Sequence, residues 1–325
     1  MAEPVRWGIL STARINRALI PPLQGSPESE LVAVASREQA CADAYAREWG
    51  IPRAYGDYRS LLADPDVEAI YISLPNGPHV EWSIACLQAG KHVLCEKPLA
   101  RAPQDVDAAF AAASRSDRLL MEAFMWRHHP QTAALVELVE RGTIGELRLV
   151  RATFSSPIPP ADPRFDPALA GGALMDVGCY CVSGSRLLCG EPVTATAHQV
   201  VAQSGIDVRL TGTLLFAGDV VAQIDCAFDL PLRQRLEVVG SDGWLEVAWP
   251  WNVREPGIVI RRGDERELVD VGTADAYRLQ VDNLSRAIRG LEPPLLGRDD
   301  AVGQARAIDT LYRSAEDSGR PVQIP

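Results

Sequence analysis

The chain has 325 residues, a formal net charge of −11 and no basic tract, with 47% hydrophobic and 23% charged residues. Such a length suggests about two domains, and the apolar share is enough to build buried cores. The acidity argues against a nucleic-acid or anionic-membrane binder, though a small anion could still be held locally. The seven cysteines (41, 86, 95, 179, 181, 189 and 226) are an odd number in a long chain. They read as reduced thiols of a cytoplasmic protein. Cys179 and Cys181 have one residue between them, unlike zinc-site spacings, so no metal is expected. Residues 1–6 lack the pattern of a secretion signal, and no apolar run nears the ~18 residues of a spanning helix.

Short apolar runs alternate with helical patterns over the first ~125 residues, the mark of a parallel sheet with crossover helices. Strands are expected at 5–10, 31–35, 69–73, 91–95 and 119–123, and helices at 39–49, 79–88 and 104–114. Beyond a helix at 131–141 the grammar changes. A strand at 146–154 leads into a loop with five prolines (157, 159, 160, 163, 167), then a helix at 172–188. Strands follow at 193–201, 207–216, 220–228, 235–239, 244–248 and 257–260, with hairpin turns at Ala217-Gly218-Asp219 and Ser241-Asp242-Gly243. Helices at 275–289 and 300–317 close the chain. The reading is a doubly wound Rossmann domain over 1–125, then an α+β domain over 126–325 with a large, mostly antiparallel open-faced sheet. The final helix is free to return to the first domain. The open face is expected to be apolar and to need a cover, since broad apolar surfaces are rarely left to water.

The turn after the first strand is where a dinucleotide fold seats the pyrophosphate, on a helix N-terminus. Here it reads Gly8-Ile9-Leu10-Ser11-Thr12-Ala13-Arg14-Ile15. Of the usual glycines only Gly8 is present; Ser11 and Ala13 are still small. After the second strand an NAD enzyme carries Asp or Glu for the ribose 2′-hydroxyl. This chain has Ser36-Arg37. A hydroxyl and a guanidinium suit a 2′-phosphate, which favours NADP with NAD possible. A solvated surface arginine beside Glu38 is the other reading.

Two later segments are more specific: Leu74-Pro75-Asn76-Gly77-Pro78-His79 with Glu96-Lys97-Pro98, and Gly171-Gly172 with Asp176-Val177-Gly178-Cys179-Tyr180. With Glu122-Ala123-Phe124-Met125-Trp126-Arg127 they resemble the glucose–fructose oxidoreductase/inositol dehydrogenase (Gfo/Idh/MocA) family along nearly the whole chain. Arg164-Phe165-Asp166-Pro167 is similar to its dihydrodiol and D-xylose dehydrogenase branch. The resemblance implies NAD(P), a sugar, polyol or diol substrate, a cis Lys97–Pro98 bond, and a homodimer or homotetramer through the large sheet. It places Ser73, Leu74, Asn76, His79 and Glu96 beside the nicotinamide ribose.

Removing a hydride and a proton from an alcohol needs a base. Tyr180 is the candidate. An unperturbed phenol has a pKa of ~10, and a nearby cation, Lys97, lowers it toward the useful range. Pro98 confines Lys97 to an extended conformation. Asp176, one helical turn before Tyr180, binds a substrate hydroxyl or orients Lys97. Without the resemblance, Asp176 and Tyr180 would read as a helix-start carboxylate and a core tyrosine. Trp126, Arg127 and Phe154 are candidate substrate-pocket walls, and Arg164 reaches cofactor or substrate. His92 is expected to be a satisfied buried group, and His128-His129 an ordinary pair. The expected activity is an NADP-dependent sugar or diol oxidoreductase. The competing readings are an NAD-dependent glycosidase of the same fold and a non-catalytic NADP-binding regulator.

Overall fold

A computed structural model describes residues 3–325; Met1 and Ala2, which open the segment read for a leader, lie outside them. The chain divides into two units. The first runs to Ala100 and adds Gln104–His128 and Asp275–Val302; the second comprises Arg101–Pro103, His129–Ala274 and Gly303–Pro325.

The first unit carries β1 (Val5–Leu10), α1 (Asn16–Gly25), β2 (Ser29–Ala35), α2 (Gln39–Trp49), β3 (Arg53–Tyr55), α3 (Tyr58–Ala63), β4 (Ala69–Ile72), α4 (His79–Gln88), β5 (His92–Cys95), α5 (Pro103–Ser116) and β6 (Leu120–Glu122). Its six strands lie in the order 3-2-1-4-5-6, all parallel. That order reverses direction between β1 and β4, which leaves a ligand crevice at the carboxyl ends of those strands. The apolar runs of β2 and β4 are buried on both faces, as a sheet sandwiched by helices requires. The short β3 and α3 escape sequence reading because β3 has three half-buried residues and no apolar run.

In the second unit come α6 (Pro130–Glu140), β7 (Leu147–Ser155), a π turn (Leu174–Gly178) running into α7 (Cys179–Cys189), then β8 (Pro192–Val201), β9 (Asp207–Phe216), β10 (Val221–Ala227), β11 (Arg233–Gly240), β12 (Trp244–Val247), β13 (Ile258–Arg262) and β14 (Glu265–Val269). Helix α8 (Ala276–Ile288) belongs to the first unit; α9 (Arg298–Glu316) and β15 (Val322–Gln323) complete the chain. Long-range polar contacts anchor α8. Trp7 Nε1 donates to Ser285 Oγ at 3.1 Å, and just past its end Arg289 forks onto Glu68 at 2.9 and 3.0 Å. The nine-stranded sheet has the order 14-13-12-11-7-10-9-8-15, antiparallel except for β7 beside β10.

One face of that sheet is buried through Val150, Ala152, Leu210, Leu214, Ala222, Ile224, Leu236 and Val238. The other face corrects the expectation of an apolar surface. It carries Arg151 bonded to Glu237 (2.8 Å), Thr153 to Asp225 (2.6 Å) and Arg261 to Glu246 (3.2 Å). Strand pairing lines up one apolar row across it, Leu215–Val221–Leu149–Val239–Trp244, with Val200, Val259 and Leu268 on strands nearer the sheet edges. A solvated face on an antiparallel sheet is ordinary, because alternate residues point to water. No helix among the described residues is long and apolar enough to cross a membrane.

Candidate active site

The turn leaving β1 builds the first part of the site. Gly8 lies inside the strand rather than in the turn. A Cβ there would press on Ile70, Leu61 and Val67 at 3.0–3.1 Å, so close packing inside the sheet also requires a glycine. Ser11 stands in a glycine-like conformation, with φ +113°. Its hydroxyl holds it there. Oγ lies 2.8 Å from Ser73 Oγ and accepts from Ala13 N–H at 3.2 Å, while Asn16 Nδ2 donates to the Ser11 carbonyl at 2.9 Å. The β1 turn is thereby tied to the end of β4. Helix α1 begins without an acidic first turn and without a side-chain cap. Thr12, Ala13 and Ile15 are half-buried and Arg14 is exposed beside it. The positive end of a helix fits a dinucleotide pyrophosphate.

At the end of β2, Ser36 is buried, its N–H bonded to Tyr55 O at 2.9 Å, and Arg37 is exposed. The charge of Arg37 reaches the Tyr58 phenol, pulling its pKa down against burial, which pushes it up. Tyr58 packs edge-on to Trp82, ring centroids 5.0 Å apart. The sequence offers Trp82 only as an apolar position of the helix at 79–88, and Tyr58 opens the short α3, which has no periodic signal.

The loops after β4 and β5 are braced from within. His79 is fully buried. Its Nδ1 lies 2.9 Å from the Pro98 carbonyl and its Nε2 2.8 Å from that of Leu74. With both ring nitrogens turned to backbone carbonyls, His79 braces the two loops from within. Burial lowers the imidazole pKa, Lys97 lowering it further, against the pull of the two carbonyls. The Lys97–Pro98 bond is cis. On its far side Leu99 N–H donates to the buried Glu122 carboxylate at 2.7 Å. Lys97 is itself 9% exposed, and Asn76 is half-buried on the loop His79 holds. The Tyr71 hydroxyl donates to Glu96 Oε1 at 2.5 Å. From α8, Tyr277 feels the charges of both Glu96 and Lys97, although burial dominates and raises its pKa. Trp126 is only 1% exposed, and Arg127 is paired with Asp300 at 3.2 Å, so in this conformation neither forms an open pocket wall. His92 accepts Leu119 N–H at 3.0 Å, and His129 caps α6.

In the second unit the proline-rich loop closes on itself: Gly172 N–H bonds to Arg164 O at 3.0 Å, and a Cβ at Gly171 would strike that same carbonyl. The closure delivers Arg164 to the helix that follows, where Nε meets Asp176 Oδ2 at 2.8 Å. A second pair, to both oxygens of Asp162, holds the guanidinium at 3.2 Å. Arg164, expected to reach cofactor or substrate, is thus shared by two carboxylates. The π turn spaces Asp176 and Tyr180 along one widened turn, a feature frequent at functional sites. It fits because Gly178 lies against Cys226, where a Cβ would stand 2.6 Å from the thiol sulfur. Tyr180, 7% exposed, is packed between aromatic rings: Phe154 edge-on at 5.4 Å and Trp251 at 6.0 Å. Phe154 is a support for Tyr180 rather than an exposed wall. Trp251, which the sequence did not single out, is fully buried and donates to Thr153 O at 3.2 Å. A phenol on a rigid aromatic layer, one turn from a carboxylate fixed by a guanidinium, can exchange a proton with a bound hydroxyl. Among the described residues no cluster of three or more metal-ligating side chains occurs.

Comparison with known proteins agrees with this architecture. Residues 5–124 match the oxidoreductase family with an NAD-binding Rossmann fold, and residues 132–246 match the GFO/IDH/MocA C-terminal domain. The chain is 40% identical to a D-xylose 1-dehydrogenase (NADP(+)) of Haloferax volcanii, over 98% of this chain and 99% of that one. It is 34% identical to the human trans-1,2-dihydrobenzene-1,2-diol dehydrogenase, over 81% of this chain and 79% of that one. A solved 3-ketoreductase of Actinomadura kijaniata, in complex with NADP and TDP-benzene, superposes with a TM-score of 0.91 at 30% identity, covering 96% of this chain and 98% of that one. With both halves matched in sequence and the whole matched in fold, the chain belongs to the Gfo/Idh/MocA oxidoreductase family.

Proposed function

We propose that this protein is an NADP-dependent oxidoreductase of a sugar, polyol or vicinal diol, in which Tyr180 is the acid/base, Lys97 the cation that favours its phenolate, and Asp176 the acceptor of a substrate hydroxyl. The observation that carries it is the helix start at 174–180, where a carboxylate held by Arg164 precedes a phenol set on Phe154 and Trp251. A bound nicotinamide supplies the hydride chemistry. The chain does the rest. Tyr180 Oη takes the hydroxyl proton during oxidation and returns it during reduction. Asp176 accepts a hydrogen bond from a neighbouring hydroxyl, which suits substrates with two vicinal oxygens. The N-terminal end of α1 and the Ser11 turn suit the pyrophosphate, and Ser36 with Arg37 suits a 2′-phosphate. Asn76 and Glu96 face the ribose, with His79 bracing their loops from beneath.

Support for the substrate class comes from relatives named for D-xylose, a dihydrodiol and a nucleotide-linked keto-sugar. All seven cysteines are free thiols, which suits a reducing cytoplasm. The apolar row Leu215–Val221–Leu149–Val239–Trp244 supports a homodimer through the large sheet, with the ionic rows beside it fixing register. The test is Tyr180→Phe assayed by nicotinamide absorbance over aldoses, inositols and cyclic diols. Turnover should fall roughly 100-fold or more, the scale of general acid–base catalysis, with NADP affinity unchanged. Full retained turnover would remove Tyr180 from the proton step.

A further inference from the structure

The helix that carries Asp176 and Tyr180 opens on Leu174, and a helix start exposes backbone N–H groups that need acceptors. Ala173, at the cap position, offers no side-chain bond. The acceptor comes instead from another element. Asp207, the first residue of β9, is 4% exposed, and its Oδ2 takes the Leu174 N–H at 2.7 Å. Its Oδ1 takes the Tyr312 hydroxyl of α9 at 2.8 Å. Gly172, at φ +128°, passes so close that a Cβ would collide with the Asp207 carboxylate and press on the Tyr312 oxygen. The ring of Tyr312 is covered by the guanidinium of Arg101, 4.3 Å from the ring centroid. Arg101 is held by Asp309 at 3.3 Å and Glu316 at 3.1 Å, both on α9, and it follows Lys97 by four residues. The same helix grips the catalytic helix again at Gln304, whose Nε2 donates to Cys179 O at 2.7 Å.

Helix α9 thus holds two points of the helix that carries Asp176 and Tyr180, one on each side of the π turn. A carboxylate at a helix N-terminus also answers the positive end of the helix dipole. We propose that Asp207, seated on Tyr312, is a positioning residue that sets the start of the π turn and so the register in which Asp176 and Tyr180 are presented. This rests on the reading of Tyr180 as acid/base. Asparagine can keep the arrangement, its Oδ1 accepting Leu174 N–H and its Nδ2 donating to the Tyr312 oxygen. Alanine can keep neither bond.

The experiment compares Asp207→Ala, Asp207→Asn, Tyr312→Phe and, as a control, Tyr180→Phe in the full chain. It measures kcat and KM with NADP and the best substrate of the aldose and diol screen, and amide hydrogen exchange of the 172–181 peptide without ligand. Asp207→Ala should lower kcat roughly ten-fold or more, the cost of a misplaced reacting group, while the KM for NADP stays within about two-fold. Its 172–181 amides should exchange faster while the first unit is unaffected. Asp207→Asn should return kcat to within about three-fold of the parent, and Tyr312→Phe should fall between. Wild-type kcat or unchanged exchange in Asp207→Ala overturns the proposal, as does Asp207→Asn failing as badly as alanine. If Asp207→Ala does not fold, Tyr312→Phe decides by the same two readouts. Retained turnover in Tyr180→Phe would instead strike the acid/base reading, leaving the exchange result to judge Asp207 by itself.

Discussion

Ser11 is a non-glycine residue held at φ +113°, and replacing it separates backbone strain from hydrogen bonding. A side chain in such a region costs about 1–2 kcal/mol. The hydroxyl offsets this through its bond with Ser73 and its acceptance of Ala13 N–H, at about 1 kcal/mol net each. Ser11→Ala loses both bonds and keeps the strain, so the first unit should lose about 2 kcal/mol. Ser11→Gly loses the same bonds and adds about 0.5–1 kcal/mol of unfolded-chain entropy, but it sheds the strain. Its net loss should be about 1 kcal/mol. Glycine should therefore be the milder substitution by about 1 kcal/mol, the reverse of the order in regular structure. Urea unfolding of the ligand-free protein, followed by tryptophan fluorescence and far-UV circular dichroism together, measures it. NADP titration should show glycine weakening affinity less than alanine, because the turn keeps its path. Alanine equal to or more stable than glycine would refute the strain argument.

Stability should also depend on pH from both sides. His92 and His128 have pKa values pushed down to about 4, chiefly by burial. Their folded values lie below the unfolded one, so the stability they contribute is present above about pH 6.5 and lost as pH falls toward 4. Each is worth at most about 3 kcal/mol, less for His92, which keeps some solvent contact. His92→Asn should flatten the acid limb of a melting-temperature profile; an unchanged limb would count against it. Asp207 has the opposite sign. Burial raises it to about 6, so its contribution is complete below the unfolded value and fades as pH rises through 6; Asp207→Asn should flatten that alkaline decline. Arg37→Ala should weaken NADP by roughly 10-fold or more while leaving NAD nearly unaffected, the scale of a lost charge-assisted bond, and equal losses in a binding titration would remove the 2′-phosphate assignment. Sedimentation at micromolar concentration should show a dimer that Val221→Asp dissociates, since the charge lands within the apolar row that crosses the sheet; a monomeric parent would refute the interface.

Much of the fold was legible in the chain because its signals are local. The apolar runs of β1, β2, β4 and β5 and the alternation in β9 state their own periods, and Gly50, at φ +64°, ends α2 where expected. The candidate site was legible where family-like motifs lie close in sequence, as in Glu96-Lys97-Pro98 and Asp176 to Tyr180. The elements that escaped, β3, α3, β14 and β15, are short or at sheet edges, where burial leaves little pattern.

The sequence by itself determined the two architectures, the small residues of the β1 turn, the missing acid after β2, and a carboxylate and a phenol one turn apart. Only the tertiary structure decided what surrounds them. Ser11 meets Ser73 across 62 positions, Asp207 reaches Leu174 across 33, and Tyr312 reaches Asp207 across 105. His79 braces two loops, Gly8 packs against Ile70, Leu61 and Val67, and the open sheet face sets ionic pairs beside its apolar row. The reason is the same in each case. A side chain's type is written locally, but its partner is set by which strands and helices pack together, and those contacts join residues far apart in the chain.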